Sequence, residues 1–228
     1  MIAAGGLTLA IDGRRILTDV SFDVARGESV ALVGPNGSGK TSVLRCLLGL
    51  VPFEGRATVG GHDVVGDPVA ARTLIGYVPQ KVAFGDATGR EVVALVARLR
   101  GLRPARVDGA LRDVGLEAHA GERVRTFSGG MQQRLAIAVA LLGTPPVVLL
   151  DEPSASLDEA GRQTFYAIVE RLRANGHTLL LASHRSEEVA TLTDRTIRLD
   201  EGRIVEPPAE LGCRGRVVRL APRAGAAR

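Results

Sequence analysis

The 228-residue chain has no tryptophan, two tyrosines and five phenylalanines. Surfaces that grip single-stranded nucleic acid need aromatic faces for bases to stack on, so this poverty argues against a nucleic-acid partner. Cysteine is as scarce. Cys46 and Cys213 lie far apart without metal-ligand spacing, which excludes a disulfide scaffold or zinc module and reads as two free thiols in a reducing compartment. No apolar run reaches the ~18 residues a spanning helix needs. The N-terminus shows neither a basic n-region nor a cleavage site. These absences lead to the expectation of a soluble, intracellular protein. Lysine is nearly missing too: of 29 basic side chains, only Lys40 and Lys81 are lysines.

One of those lysines falls inside Gly34-Pro35-Asn36-Gly37-Ser38-Gly39-Lys40-Thr41. The octet fits the phosphate-binding pattern G-x-x-x-x-G-K-[ST]. The apolar residues 29–33 before it read as a buried strand, and residues 41–50 after it as a helix. A glycine-rich turn between strand and helix aims successive backbone N–H groups at a phosphate. Lys40 then reaches the β- and γ-phosphates as a compact point charge, and the Thr41 hydroxyl is a ligand for Mg²⁺. The pattern alone leaves kinases, GTPases and many ATPases open.

Length and an apolar content of 45% allow one large α/β domain with a full core, or two small ones. The net charge of +4 is unevenly placed. Beyond Val205, five arginines (Arg214, Arg216, Arg219, Arg223, Arg228) against Glu206 and Glu210 leave +3 in the tail, so the body is close to neutral. A solvated tail is the plain reading, with contact to anionic lipid or a partner as the alternative.

Along the chain, residues 7–11, the Asp12-Gly13 turn and the residues from Ile16 onward predict a hairpin, and 56–59 a further short strand. From about 81 to 127 the pattern turns helical. Thr88 and Glu91 form a capping box, with Val92, Leu95, Val96 and Leu99 expected on one inner face. Gly101 ends that helix. Pro104 is expected to open the next, with Val107, Ala110, Leu111 and Val114 inward. Strand–helix alternation then resumes: a strand over 147–150, a helix over 159–174 capped by Gly176, a strand over 178–182, and strands 196–199 and 203–205 flanking a turn. Buried apolar strands alternating with helices argue for a mainly parallel sheet.

Two further motifs carry chemistry. The apolar run 147–150 ends in Asp151 and Glu152, carboxylates at a strand's C-terminal end, where α/β sheets bind ligands. Asp151 is placed to hold Mg²⁺, and Glu152 to orient and activate water as a general base. Ser128-Gly129-Gly130-Met131-Gln132 precedes an apolar helix over about 131–142. Ser128 is a good N-cap. Two adjacent glycines at a helix start lower stability, so this second anion-binding helix start asks for a reason.

The motifs together resemble the ATP-binding subunit of an ABC transporter over about residues 5–205. The resemblance implies Gly34 to Thr41 as Walker A, Gln80 as the Q-loop glutamine, Ser128-Gly129-Gly130 as the signature, 147–151 as Walker B with Glu152 as base, Asp158 in the D-loop, and His184 as the switch histidine. It implies an α/β P-loop NTPase fold: a mainly parallel core sheet, an antiparallel β subdomain and a helical subdomain at about 81–145, followed by a basic tail at 206–228. It also implies ATP and Mg²⁺ as cofactors, with Thr41, Gln80 and Asp151 around the metal. The cassettes would pair head to tail, Ser128 and Gly130 of one reaching the γ-phosphate on the other's P-loop, with Asp158 beside that nucleotide. His184 would hold the γ-phosphate or the water. Transmembrane permease subunits and a second, identical cassette are the implied partners, at the cytoplasmic face of the membrane.

Three departures from the family pattern stand out. Ile11 occupies the place of an aromatic that often stacks on adenine. Met131 stands where Gln is common, and Phe127 where Leu is common. Two other readings compete. A soluble ABC-type ATPase acting on DNA or ribosomes would carry coiled-coil insertions or tandem cassettes, and this chain has neither. A GTPase would carry Asn-Lys-x-Asp, which is absent. The block 84–101 is similar to exporter-type cassettes, including ones linked to drug efflux or copper-enzyme maturation.

Overall fold

A computed structural model describes residues 1–82, 84–104 and 106–205. The basic tail lies outside the described residues. An antiparallel sheet opens the chain. Strands β1 (Ile2–Ile11) and β2 (Arg14–Val24) form the predicted hairpin, joined by β4 (Glu54–Val59) and the two-residue β5 (His62–Asp63) in the order β2-β1-β4-β5. Asp12 and Gly13 both take positive φ, 49° and 76°, the backbone a tight hairpin turn demands.

The second sheet holds β3 (Ser29–Val33), β6 (Ile75–Val78), β7 (Val147–Asp151), β8 (Thr178–Ala182), β9 (Arg195–Asp200) and β10 (Arg203–Val205) in the order β10-β9-β3-β8-β7-β6. Every pairing is parallel except the β9–β10 hairpin. Both faces are covered. Val148, Leu150, Leu179 and Leu181 point into one core, while Val147, Leu149, Leu180 and Ala182 point into the other. Strand periodicity of two divides these apolar runs between the cores, which is why they show no polar alternation. Helix α1 (Lys40–Leu47) buries Val43, Leu44 and Leu47 against the second core. Helix α6 (Glu159–Ala174) buries Phe165, Ile168, Val169 and Leu172 against the first, as its spacing predicts.

Helices α3 (Gly89–Leu99), α4 (Arg106–Asp113) and α5 (Gly129–Ala140) pack on one another. The Thr88–Glu91 capping box is present in both directions. The inner face of α3 is only partly the one its spacing predicted: Val92 is buried and Val96 packs against the core, but the two leucines do not. Val92, Val93 and Ala97 are buried, whereas Leu95 is 49% exposed and Leu99 78%. Small and β-branched side chains at i and i+4 fit the gap where α3 meets α5, so the helix turns by about one residue, roughly 100°, and its leucines face out. Helix α4 begins at Arg106, two residues after Pro104, and α5 starts and ends two residues before the expected bounds. Helix α1 runs from Lys40 and stops at Leu47 rather than Leu50. The short strands β5 and β6 and the helices α2 (Pro68–Thr73) and α7 (Ser186–Leu192) were not anticipated.

Candidate nucleotide site

Strand β3 lies between β8 and β9, so the loop after it leaves the sheet where connections diverge, the crevice α/β sheets use for ligands. That loop is the predicted octet. Gly39 has φ 105° at the N-cap of α1, which no side chain caps, so the first-turn N–H groups stay available. Gly34 lies against β9: a Cβ there would stand 2.1 Å from the Leu199 carbonyl oxygen. Lys40 is buried, and its Nζ is 2.9 Å from the Gly34 carbonyl and 3.0 Å from that of Pro35. The Ser38 hydroxyl is buried without a partner. A folded-over lysine and an orphaned hydroxyl inside one loop fit a phosphate chain.

The expected partners converge there. Thr41 Oγ1 donates to Asp151 Oδ1 at 2.9 Å, joining α1 to the end of β7. Glu152 follows with φ +46°, a left-handed backbone for a non-glycine residue, held by its N–H donating to the Ala182 carbonyl at 2.9 Å. Such strain persists only where its surroundings enforce it. The carboxylate is thereby aimed at three groups. Lys40 Nζ is 3.7 Å from Oε1, and His184 Nδ1 is 3.2 Å from Oε2. Gln80 Nε2 is 3.4 Å from the same Oε2. His184 follows β8, Glu152 follows β7 and Gln80 lies beyond β6, three adjacent strands. Thr41 and Asp151, bonded to each other, and the side-chain carbonyl of Gln80 offer oxygen ligands, the chemistry a hard divalent cation prefers.

Ser128, Gly129, Gly130 and Asp158 lie elsewhere. With Ser156, Arg134 and Gly161 they line a shallow cleft of about 360 Å³ to which none of the eight P-loop residues contributes. Ser128 Oγ caps α5 by accepting the Met131 N–H at 3.2 Å. Asp158 caps α6 by accepting the Gly161 N–H at 2.8 Å. A Cβ on Gly130 would meet Leu157 at 3.6 Å, an ordinary contact. Packing inside the chain therefore does not require glycine at that position.

A family model described as ABC transporter matches residues 17–155. The chain belongs to the ABC transporter family, as an ATP-binding and ATP-hydrolysing subunit. The zinc import ATP-binding protein ZnuC of Roseobacter denitrificans is 38% identical over 202 residues, covering 88% of this chain and 75% of that one. The linearmycin resistance ATP-binding protein LnrL of Bacillus subtilis is 34% identical over 211 residues, covering 90% and 68%. The dimeric ATP-binding cassette MJ0796, solved in a post-hydrolysis state with ADP and Pi, superposes with a TM-score of 0.80 at 26% identity, covering 90% of this chain and 97% of that one.

Within this ABC ATPase, a contact to the metal-side carboxylate escaped the sequence reading. Tyr77 on β6 donates its hydroxyl to Asp151 Oδ2 at 3.3 Å. Burial, then the Asp151 charge, pushes the Tyr77 phenol up to about 12, so it stays a donor at neutral pH. The available signal was a lone hydroxyl-bearing ring in the otherwise apolar Ile75-Gly76-Tyr77-Val78. Burial also raises the Asp151 carboxyl above its ordinary value, against the opposing bonds from Thr41 and Tyr77. Phe127 fills the leucine position of the signature by burying its ring beside Gly89. Ile11, at the predicted adenine position, is exposed beside the hairpin turn.

Proposed function

We propose that the chain is the motor subunit of a transporter and works as a head-to-tail pair, each ATP clasped between the P-loop of one copy and the signature helix of the other. The observation that carries this reading is the separation of the two anion-binding helix starts. The α5 start opens on a cleft with no P-loop residue in its lining, so a single copy holds two halves of different sites. A twofold pair completes both at once.

In this reading residues 1–205 form the cassette, 81–145 its helical subdomain, and 206–228 a basic tail. The backbone of Gly34, Pro35, Asn36, Gly37, Ser38 and Gly39 cradles the phosphates, and Lys40 swings from the loop carbonyls to the β- and γ-phosphates. Thr41, Asp151 and Gln80 would hold Mg²⁺, which when bound neutralises charge on those phosphates. Glu152 accepts a proton from the attacking water. His184, beside that carboxylate, orients the water or the γ-phosphate. Ser128, Gly129 and Gly130 of the partner copy donate to the γ-phosphate, and Asp158 closes the seam. This is the logic of a finger supplied in trans.

No described helix is long and apolar enough to cross a membrane. In this reading the cargo path belongs to transmembrane permease subunits, against which the cassette works from the cytoplasmic face. Gln80, between the site and the helical subdomain, carries the nucleotide state toward them. Resemblance of the block 84–101 to exporter-type cassettes favours outward transport. The decisive experiment is ATP turnover per molecule against protein concentration. Turnover that rises with concentration is expected; a dilute monomer matching concentrated protein would overturn the paired site.

A further inference from the structure

Three polar side chains are buried away from the nucleotide site yet touch the loops that carry it. Ser183, just before His184, is 1% exposed; Ser154, two residues after Glu152, is 1%; Glu188, on the first turns of α7, is 0%. Ser183 Oγ donates to Glu188 Oε2 and accepts the Arg185 N–H at 3.1 Å, so the carboxylate anchors the backbone on both sides of His184. Burial raises the Glu188 carboxyl above its ordinary value, and the Ser183 and Ser154 hydroxyls, both close to it, oppose that rise. Yet Ser154 Oγ and Glu188 Oε1 are each buried without a partner in hydrogen-bond geometry.

A buried carboxylate that served only to hold the fold would be satisfied at both oxygens, because an orphaned buried polar atom weakens the native state. Here one orphan, Ser154 Oγ, sits on the loop after Glu152, and the other, Glu188 Oε1, sits on α7 just after the segment that carries His184. The loop holding Ser154 begins at the strained Glu152 and runs on to Asp158. A small shift of that loop gives Ser154 a bond to Oε1 and ties the base to the histidine through one carboxylate. We infer that Glu188 is a positioning residue: bonded to Ser183 throughout, and to Ser154 when the site closes, it fixes His184 against Glu152 for hydrolysis. The inference rests on the roles proposed above for Glu152 and His184.

Ser154→Ala tests it in the full chain. Removing a hydroxyl that has no partner leaves the thermal midpoint and the KM for ATP unchanged or slightly improved on any purely structural account. The positioning role instead predicts that kcat falls about tenfold or more, since small misplacements of reacting groups cost that much. Ser154→Thr, which keeps the hydroxyl, retains kcat. Glu188→Leu loses kcat as Ser154→Ala does, and the double variant is no slower than Glu188→Leu alone. Amide exchange gives a readout independent of turnover: Mg–ATP protects residues 184–186 in the wild type and fails to do so in Ser154→Ala. Wild-type kcat and wild-type protection in Ser154→Ala would overturn the inference, as would additive losses in the double variant. If Glu188→Leu does not fold, Ser154→Ala decides alone. Normal turnover in Glu152→Gln would remove the underlying site reading; a dead Glu152→Gln beside an unaffected Ser154→Ala removes only the role of Glu188.

Discussion

Glu152 Oε2 stands 3.2 Å from His184 Nδ1, and the two residues leave neighbouring strands at the same level, with Asp151 opposite Ala182 in the ladder. Sheet register thus brings Glu152 and His184 side by side at the ends of adjacent strands. Slipping β7 by one residue against β8 would move both out of reach.

This placement makes Glu152→Gln the sharpest test of the base. The amide keeps the shape of the carboxylate and cannot take a proton. Hydrolysis is expected to fall by about 10²–10⁴-fold while ATP binding persists, and an ATP-dependent dimer should be visible by size-exclusion chromatography. Normal turnover would remove Glu152 from that role.

Ser128→Arg addresses the other half of the pair. Ser128 is exposed on a cleft remote from the P-loop, so a bulky cation there leaves nucleotide binding in the same copy intact. Hydrolysis is expected to fall below detection. Nucleotide affinity and turnover measured separately distinguish this from misfolding; full activity would exclude a signature role in trans.

The adenine side offers a gain-of-function test. Ile11 is exposed at the hairpin turn and presents no ring. Base–aromatic stacking contributes ~1–3 kcal/mol, so Ile11→Tyr is expected to tighten ATP binding by about tenfold with kcat little changed. Equilibrium titration with ATP and GTP reads both affinity and base preference.

Cys46 gives a pH signature of the fold. Burial in α1 raises its thiol from an ordinary value of 9.0 to about 11. A raised folded value means the unfolded thiol ionises first as pH climbs. Its contribution to stability is full below pH 9 and is lost as pH rises toward about 11. In the native chain Cys46 should resist alkylation at pH 8, with labelling appearing only on unfolding, as peptide mapping would show.

Much of this was legible because the informative signals are local. The Asp12-Gly13 turn, the Thr88–Glu91 box, the Ser128 cap and the bounds of α6 and β8 each depend on a few adjacent residues. What the sequence hid was tertiary. The rotation of α3 follows from how closely it approaches α5, which no single-helix pattern encodes. Strand β6 and helix α7 are too short for periodicity to register. In the site, the strand-end pattern named Asp151 and Glu152 and the family resemblance named Gln80 and His184, but the Tyr77–Asp151 bond and the Ser183–Glu188–Ser154 cluster join segments dozens of residues apart and exist only once the strands are ordered.

Strand β6 closes the sheet on one side and is hydrogen-bonded to β7 alone among the described strands. Central strands are pinned from both flanks; a border strand is pinned from one. Gln80, just beyond β6, therefore follows a border member of the row, while Glu152 and His184 follow members in its interior. On the roles proposed for these residues, a pull arriving through the helices would displace the amide before either of the others, so that a mechanical load would register without dismantling the reaction centre.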